Sequence, residues 1–151
     1  ALARWRCQPN VTGRRLVDTA ELSWSAVRAC MKHLLLVEDD PIIARLTRAL
    51  VGRAGWDTDW VETGRQAIET LSEHRYPLVL LDLGLPDVDG KGVVLWLRHF
   101  EADRGHARTP VVVLSATDSP RETTLDVDTV LQKPLRMAAL EEILLRLEVT
   151  S

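Results

Sequence analysis

The sequence predicts an α/β fold in which a five-stranded parallel sheet is covered by helices on both faces, and three observations predict it. From Lys32 onward, short β-branched or Leu-rich runs alternate five times with helix-length amphipathic stretches, the pattern of successive βα units. Three of these runs, LLLV, LVLL and VVVL, are apolar without interruption, as strands buried on both faces must be, so they should be central. Acidic, hydroxyl and amine side chains follow the strands at their C-terminal ends, where an open parallel sheet forms its sites.

The first strand is expected over His33–Val37, and Asp40-Pro41 just after it supplies a helix N-cap with Pro at the first helical position. Ile43, Leu46, Ala49 and Leu50 then mark the inward face of the first helix. The second strand, Trp56–Val61, is followed by Thr63, which caps a helix that turns Ala67, Ile68 and Leu71 inward. The third strand is Leu78–Leu81; the loop after it ends in Asp89-Gly90 and leads to a helix carrying Val93, Val94, Trp96 and Leu97. After a fourth strand over Val111–Leu114, Pro120 to Asp126 leaves about two turns, so the fourth helix is short or irregular. The fifth strand, Thr129–Leu131, precedes a helix from Leu135 to about Leu147 with Leu140, Ile143, Leu144 and Leu147 at helical spacing.

With 151 residues there is room for one compact domain, residues 32–149, behind an N-terminal extension, residues 1–31, that is helical or disordered. Within the extension Leu16, Ala20, Trp24 and Val27 fall at near-helical spacing. The net charge of −3 is unevenly spread: residues 1–30 carry five Arg against two acids, the remainder fourteen basic against twenty acidic residues. An acidic body lacks the basic surface that neutralises phosphates, so no direct nucleic-acid binding is expected. No apolar run approaches the roughly 20 residues of a membrane helix, which excludes membrane insertion from the expectations. The extension has no uninterrupted apolar stretch of the secretory-signal kind. Cys7 and Cys30 point to neither a disulfide framework nor a Cys metal site, and a reducing, cytoplasmic setting fits best.

The chemistry gathers at the strand ends. Glu38, Asp39 and Asp40 follow the first strand, Asp82 the third, Ser115 the fourth and Lys133-Pro134 the fifth. Three carboxylates, a hydroxyl and an ammonium therefore converge on one edge, and Asp40 reads more as a helix cap than as a ligand. Two carboxylates about 4 Å apart repel by roughly 4 kcal/mol at an effective dielectric of about 20, so the cluster calls for a cation. Oxygen ligands without His or Cys select a hard ion, Mg²⁺, with Mn²⁺ as a substitute. Beside such an ion an Asp carboxylate can attack phosphorus and become an aspartyl phosphate, with positioning and charge neutralisation as the main catalytic work. Lys133 offers a compact positive charge to phosphate oxygens, and the Ser115 hydroxyl offers a donor. The chain uses sixteen Arg and only three Lys, so a Lys at this strand end answers a geometric demand. The Lys133–Pro134 bond is a candidate for the cis form, which about 5% of X-Pro bonds adopt.

Together the segments LLLVEDDP (34 to 41), VLLDLGLPDVDG (79 to 90), PVVVLSA (110 to 116) and LQKPL (131 to 135) resemble, in order, the receiver domain of two-component response regulators. The resemblance covers about residues 32 to 149. It implies a flavodoxin-like, doubly wound (βα)5 fold with strand order 2-1-3-4-5. It implies Asp82 as phosphoacceptor, Glu38 and Asp39 as the acidic pair, Asp82 and the backbone carbonyl of Gly84 as further metal ligands, and Ser115 and Lys133 as the hydroxyl and lysine of the site. The phosphoryl donor it implies is a phosphohistidine on a histidine kinase or histidine phosphotransfer protein. The chain is then a signalling phosphoacceptor rather than an enzyme: it contributes to its own phosphorylation and dephosphorylation, and the signal leaves through protein–protein contacts with a downstream protein.

Two positions depart from the family pattern. Val130, three residues before Lys133, stands where an aromatic residue is common, and the stretch from Ser115 to Lys133 is shorter by about one helical turn. The acceptor chemistry is therefore the firmer expectation and the output mechanism the open one. Gly84 leaves no side chain two residues after the acceptor, which gives water access to the phosphoryl group. Two other readings remain: a degenerate receiver that serves only as an interaction module, and an aspartyl-phosphate hydrolase of the haloacid dehalogenase type, which needs a second Asp where Gly84 stands. Asp87 and Asp89 read as loop acids, Trp56, Trp60 and Trp96 as packing residues, and His33, His74, His99 and His106 as surface or structural residues. The connection HFEADRGHART resembles that of hybrid-kinase receivers.

Overall fold

The computed structural model describes residues 5–7, 15–17, 32–116 and 125–150. Strands β1 (Trp5–Cys7) and β2 (Arg15–Val17) pair antiparallel, with Arg6 opposite Leu16. Leu16 thus lies in a ladder rather than in the helix its spacing suggested; Ala20, Trp24 and Val27 lie outside the described residues.

From His33 the chain runs β3 (His33–Val37), α1 (Pro41–Arg53), β4 (Asp57–Val61), α2 (Gly64–Glu73), β5 (Val79–Asp82), α3 (Gly90–Arg104), β6 (Val111–Ser115), β7 (Thr129–Gln132) and α4 (Met137–Thr150). The five strands β3 to β7 are all parallel, in the order β4-β3-β5-β6-β7, which is 2-1-3-4-5 counted from His33. Strand alternation sends successive side chains to opposite faces, and each face has its own core. Leu34, Leu36, Leu78, Leu80, Val112 and Leu114 meet Ala44 and Val51 of α1 and Leu140, Ile143 and Leu144 of α4. Leu35, Val37, Val79, Leu81, Val111 and Val113 meet Ala67 and Leu71 of α2 and Val93, Val94 and Leu97 of α3. The sheet is therefore covered on both sides, and the three uninterrupted apolar runs are its three central strands.

The caps act where the sequence places them. The Asp40 carboxylate accepts from the Ile42 and Ile43 amides at 2.8 and 3.4 Å, and Thr63 Oγ1 accepts from the Gln66 amide at 3.1 Å. The inward face of α1 is the exception. Its buried residues are Ala44, Thr47 and Val51, with Leu50 packed beside them, whereas Leu46 is 62% exposed and Ala49 is also turned outward. Both candidate faces carry apolar residues, so periodicity alone does not choose between them; small Ala44 and Thr47 are the ones that let the helix approach the sheet closely.

Strand limits differ from expectation by a residue: Trp56 and Leu78 precede β4 and β5, while Asp82, Ser115 and Gln132 close β5, β6 and β7. The HFEADRGHART segment is mostly helix, since α3 continues to Arg104 and ends on Gly105 in the left-handed conformation at φ 63°. Residues 117–124, where most of the short fourth helix was expected, lie outside the described residues, and none of Leu125 to Asp128 is helical. Among the described residues no helix is long and apolar enough to cross a membrane.

Candidate functional site

Parallel register brings the strand ends together. Val37 pairs with Leu81, Asp82 with Leu114, and Ser115 with Gln132, so the residues at these ends, Glu38, Asp82, Ser115 and Lys133, emerge at one edge of the sheet. The Lys133 amide donates to the Ser115 carbonyl at 2.7 Å, and the Lys133–Pro134 bond is cis. Gly90, the first residue of α3, lies so close to the acceptor strand that an added Cβ would sit 2.8 Å from the Asp82 carbonyl oxygen.

The side chains converge. One ligand oxygen from each of Glu38, Asp39 and Asp82 lies within 4.8 Å of the others, with Glu38 and Asp82 buried and Asp39 exposed at the mouth. Lys133 Nζ is 3.0 Å from Glu38 Oε2 and 3.2 Å from Asp82 Oδ2. Glu38 Oε1 accepts from the Asp40 amide at 3.2 Å, and Asp82 Oδ1 from the Gly84 amide at 3.1 Å. Ser115 is buried at the end of β6. Val130 is half-buried against the core shared with α2 and α3.

These neighbours push the two buried carboxyls in opposite directions. Burial raises Glu38 from 4.5 to about 7, against the pull of Lys133 and the Asp40 amide. Burial acts upward on Asp82 too, but the Gly84 amide, Glu38 and Lys133 outweigh it and hold this carboxyl below its usual value. Burial opposes the Lys133 ammonium, and the two carboxylates overcome it and raise that group. Burial thus favours the protonated form of Glu38, whereas the neighbours of Asp82 favour its ionised form. Three carboxylates face a single ammonium, all of the ligands are oxygens, and the spacing suits one small ion, so the residues fit a hard divalent cation.

Two residues gain roles that the sequence reading missed. Asp87 is more than a loop acid: its two oxygens accept from the amides of Gly64 and Arg65, at 2.8 and 3.0 Å, at the start of α2. Trp60 packs against the core and also donates its indole N–H to the Glu38 carbonyl at 2.8 Å. No local pattern ties position 87 to 64, or 60 to 38; only the tertiary fold joins them. Asp89 caps α3 through the Lys91 amide. His33 is structural, with Nε2 3.1 Å from an Asp59 oxygen that also accepts the Tyr76 hydroxyl at 2.6 Å.

Residues 34–145 match the family described as response regulator receiver domain. The chain belongs to that family. This receiver is 37% identical over 120 residues to the transcriptional regulatory protein QseB of Escherichia coli O157:H7, a match covering 77% of the chain and 51% of QseB. The chain therefore corresponds to about half the length of that relative. It is 33% identical over 85 residues to the polar-differentiation response regulator DivK of Brucella anthropi, covering 56% of the chain and 67% of DivK. Among solved structures, the receiver domain of the sensor histidine kinase PA1611 from Pseudomonas aeruginosa PAO1 superposes with a TM-score of 0.69 at 31% identity, covering 76% of this chain and 95% of that domain. In that crystal structure a magnesium ion is coordinated in the active-site cleft. The flavodoxin-like receiver fold and a place in two-component signalling follow for this chain.

Proposed function

We propose that this receiver accepts a phosphoryl group on Asp82 from a phosphohistidine of a histidine kinase or histidine phosphotransfer protein, in a Mg²⁺-dependent reaction, and passes the signal on by protein–protein contact. The observation that carries the reading is the convergence of Glu38, Asp39 and Asp82 within 4.8 Å of one another with Lys133 Nζ 3.2 Å from Asp82 Oδ2.

In this reading Glu38, Asp39, Asp82 and the Gly84 carbonyl hold the cation, with Mn²⁺ able to replace Mg²⁺. The bound ion supplies positive charge that neutralises the phosphoryl oxygens and the acidic cluster. Asp82 is suited to attack because its neighbours keep it ionised despite burial. An Asp82 oxygen forms the new O–P bond while the P–N bond of the donor breaks and its electron pair returns to the imidazole nitrogen. Lys133, already held beside Asp82 at the crevice, binds the phosphoryl oxygens, and the Ser115 hydroxyl donates to them. Hydrolysis reverses the modification: water attacks phosphorus, the O–P bond to Asp82 breaks, and phosphate leaves. Gly84 favours that step, since even an added Cβ would meet nothing nearer than Asp82 Oδ1 at 3.8 Å.

The test is incubation of the protein with Mg²⁺ and acetyl phosphate, followed by intact-mass measurement. One added phosphoryl group is expected, lost in Asp82→Asn and absent when Mg²⁺ is chelated. An unmodified wild-type mass would leave the interaction-module reading in its place.

A further inference from the structure

We infer that the corner between β4 and α2, residues 60–65, is a brace for the cation site that contributes no ligand of its own. The inference rests on Glu38, Asp39, Asp82 and Gly84 being the ligands, as proposed above. These ligands come from two segments, the loop leaving β3 and the end of β5 with the loop that follows it. Each loop is tied to the same corner by a different bond.

On one side, the Glu38 peptide is held at both of its polar groups. Its amide donates to the Val61 carbonyl at 3.1 Å, and its carbonyl accepts the Trp60 indole N–H at 2.8 Å. Glu38 is the first residue beyond the regular β3 ladder, so the indole bond extends the hold where main-chain pairing stops. A carbonyl fixed there sets the direction in which the Glu38 side chain, and the Asp39 that follows, can point.

On the other side, the loop from Leu83 to Asp89 reaches across to α2. Asp87 caps that helix through the amides of Gly64 and Arg65, with its carboxyl kept low by those N–H groups. Gly64 makes the approach feasible: a Cβ there would sit 2.7 Å from the Val88 carbonyl oxygen and 2.8 Å from Val88 Cβ. The loop is thus pinned at its middle, at Asp87, and at its end, where the Gly90 amide donates to the Leu83 carbonyl at 3.3 Å. Gly84 lies inside the pinned span. The two ties make Trp60 and Asp87 positioning residues: neither ligates, and each fixes one half of the ligand set before the ion arrives, which is what a supporting shell does for a metal site.

Each tie amounts to one or two partly exposed hydrogen bonds, so Trp60→Phe, which keeps an aromatic ring and loses the indole N–H, and Asp87→Ala are each expected to weaken Mg²⁺ binding by about fivefold in calorimetry. Asp87→Asn keeps one acceptor oxygen and should recover part of the loss. In metal-free protein, hydrogen exchange should quicken at the Asp40 amide in Trp60→Phe and at the Gly84 amide in Asp87→Ala, since these N–H groups bond the Glu38 and Asp82 carboxylates. Trp56→Phe is the control: Trp56 is buried in the same core as Trp60 packs on, so its loss should lower thermal stability and leave both readouts unchanged. If wild type binds Mg²⁺ and both variants bind and exchange like it, the brace is wrong while the proposed function stands. If wild type takes up no Mg²⁺, the proposed function fails, and exchange in the metal-free variants alone decides the brace.

Discussion

The two ends of the sheet both bury an acidic residue, and they treat it differently. At the end opposite the site, Glu101 of α3 is 6% exposed; its Oε1 accepts from the Thr109 amide at 2.7 Å, and both of its oxygens bond Arg98 Nη1, at 3.2 and 3.0 Å. Arg98 in turn donates to the carbonyls of Asp126 and Thr109, while Arg108 spans Asp126 and Asp128. Each acid there is paired with a guanidinium of the protein, and the network ties the approach to β7 to α3 and the loop after it. At the crevice end three carboxylates face one ammonium, and Glu38 is pushed up to about 7. A buried acid whose donors all come from the protein holds the fold together; a buried acid in surplus leaves room for something from outside.

Breaking the paired end should give the larger stability effect. Glu101→Ala takes from the buried Arg98 guanidinium its closest carboxylate, leaving it the more distant Asp126 carboxylate at 3.5 Å and two backbone carbonyls, and deprives the Thr109 amide of its acceptor. A loss of about 3–5 kcal/mol in urea unfolding is expected, a large share of a typical domain's stability. The folded fraction should still take up phosphoryl from acetyl phosphate at the wild-type rate. A variant that stayed fully stable, or one that folded and failed to react, would erase the distinction between the two ends.

Lys133→Ala sharpens the comparison from the other side. It removes the only ammonium that touches Glu38 and Asp82 among the described residues. The phosphorylation rate should fall by about 10²–10³, the cost of losing one preorganised group at a site of developing charge, equivalent to roughly 2.7–4 kcal/mol of barrier. Single-turnover kinetics with acetyl phosphate at saturating Mg²⁺ measures it. A rate within about threefold of wild type would remove Lys133 from the machinery.

The contrast also explains what could be read without coordinates. Uninterrupted apolar runs announce central strands, and residues that follow parallel strands emerge at one end of the sheet, so Glu38, Asp82 and Ser115, with Lys133 after the less apolar edge strand, could be placed together from position alone. Caps are equally local: Asp40-Pro41 and Thr63 act within three residues of themselves. The rotation of α1 was less legible because Ile42 and Leu46, at 71% and 62% exposure, carry as apolar a signal as the face that is buried. Trp60, Asp87 and the Arg98–Glu101 network reach from 3 to 28 residues along the chain, and the longer of these reaches belong to the fold.

The subtlest prediction concerns the surplus itself. Glu38 binds its proton at about 7 in the native protein and at 4.5 when released, so between those values the native state holds more protons than the unfolded chain. Stability from this source is therefore fully present below 4.5, falls as pH rises through the window, and is flat above about 7. Asp82, held below its usual value, acts in the opposite sense and only in more acid solution, where its contribution is lost as pH falls. Metal-free protein in a chelating buffer should thus unfold at lower urea concentration above the window than within it, and Glu38→Gln should flatten that slope. Mg²⁺ competes with the proton for the same oxygens, so it should stabilise most at the high end, by about 2.7 kcal/mol when the ion is at 100 times its dissociation constant. A metal-free wild type that gains stability across the window, or a Glu38→Gln variant with an unchanged slope, would mean that the proton, and with it the excess negative charge, resides elsewhere.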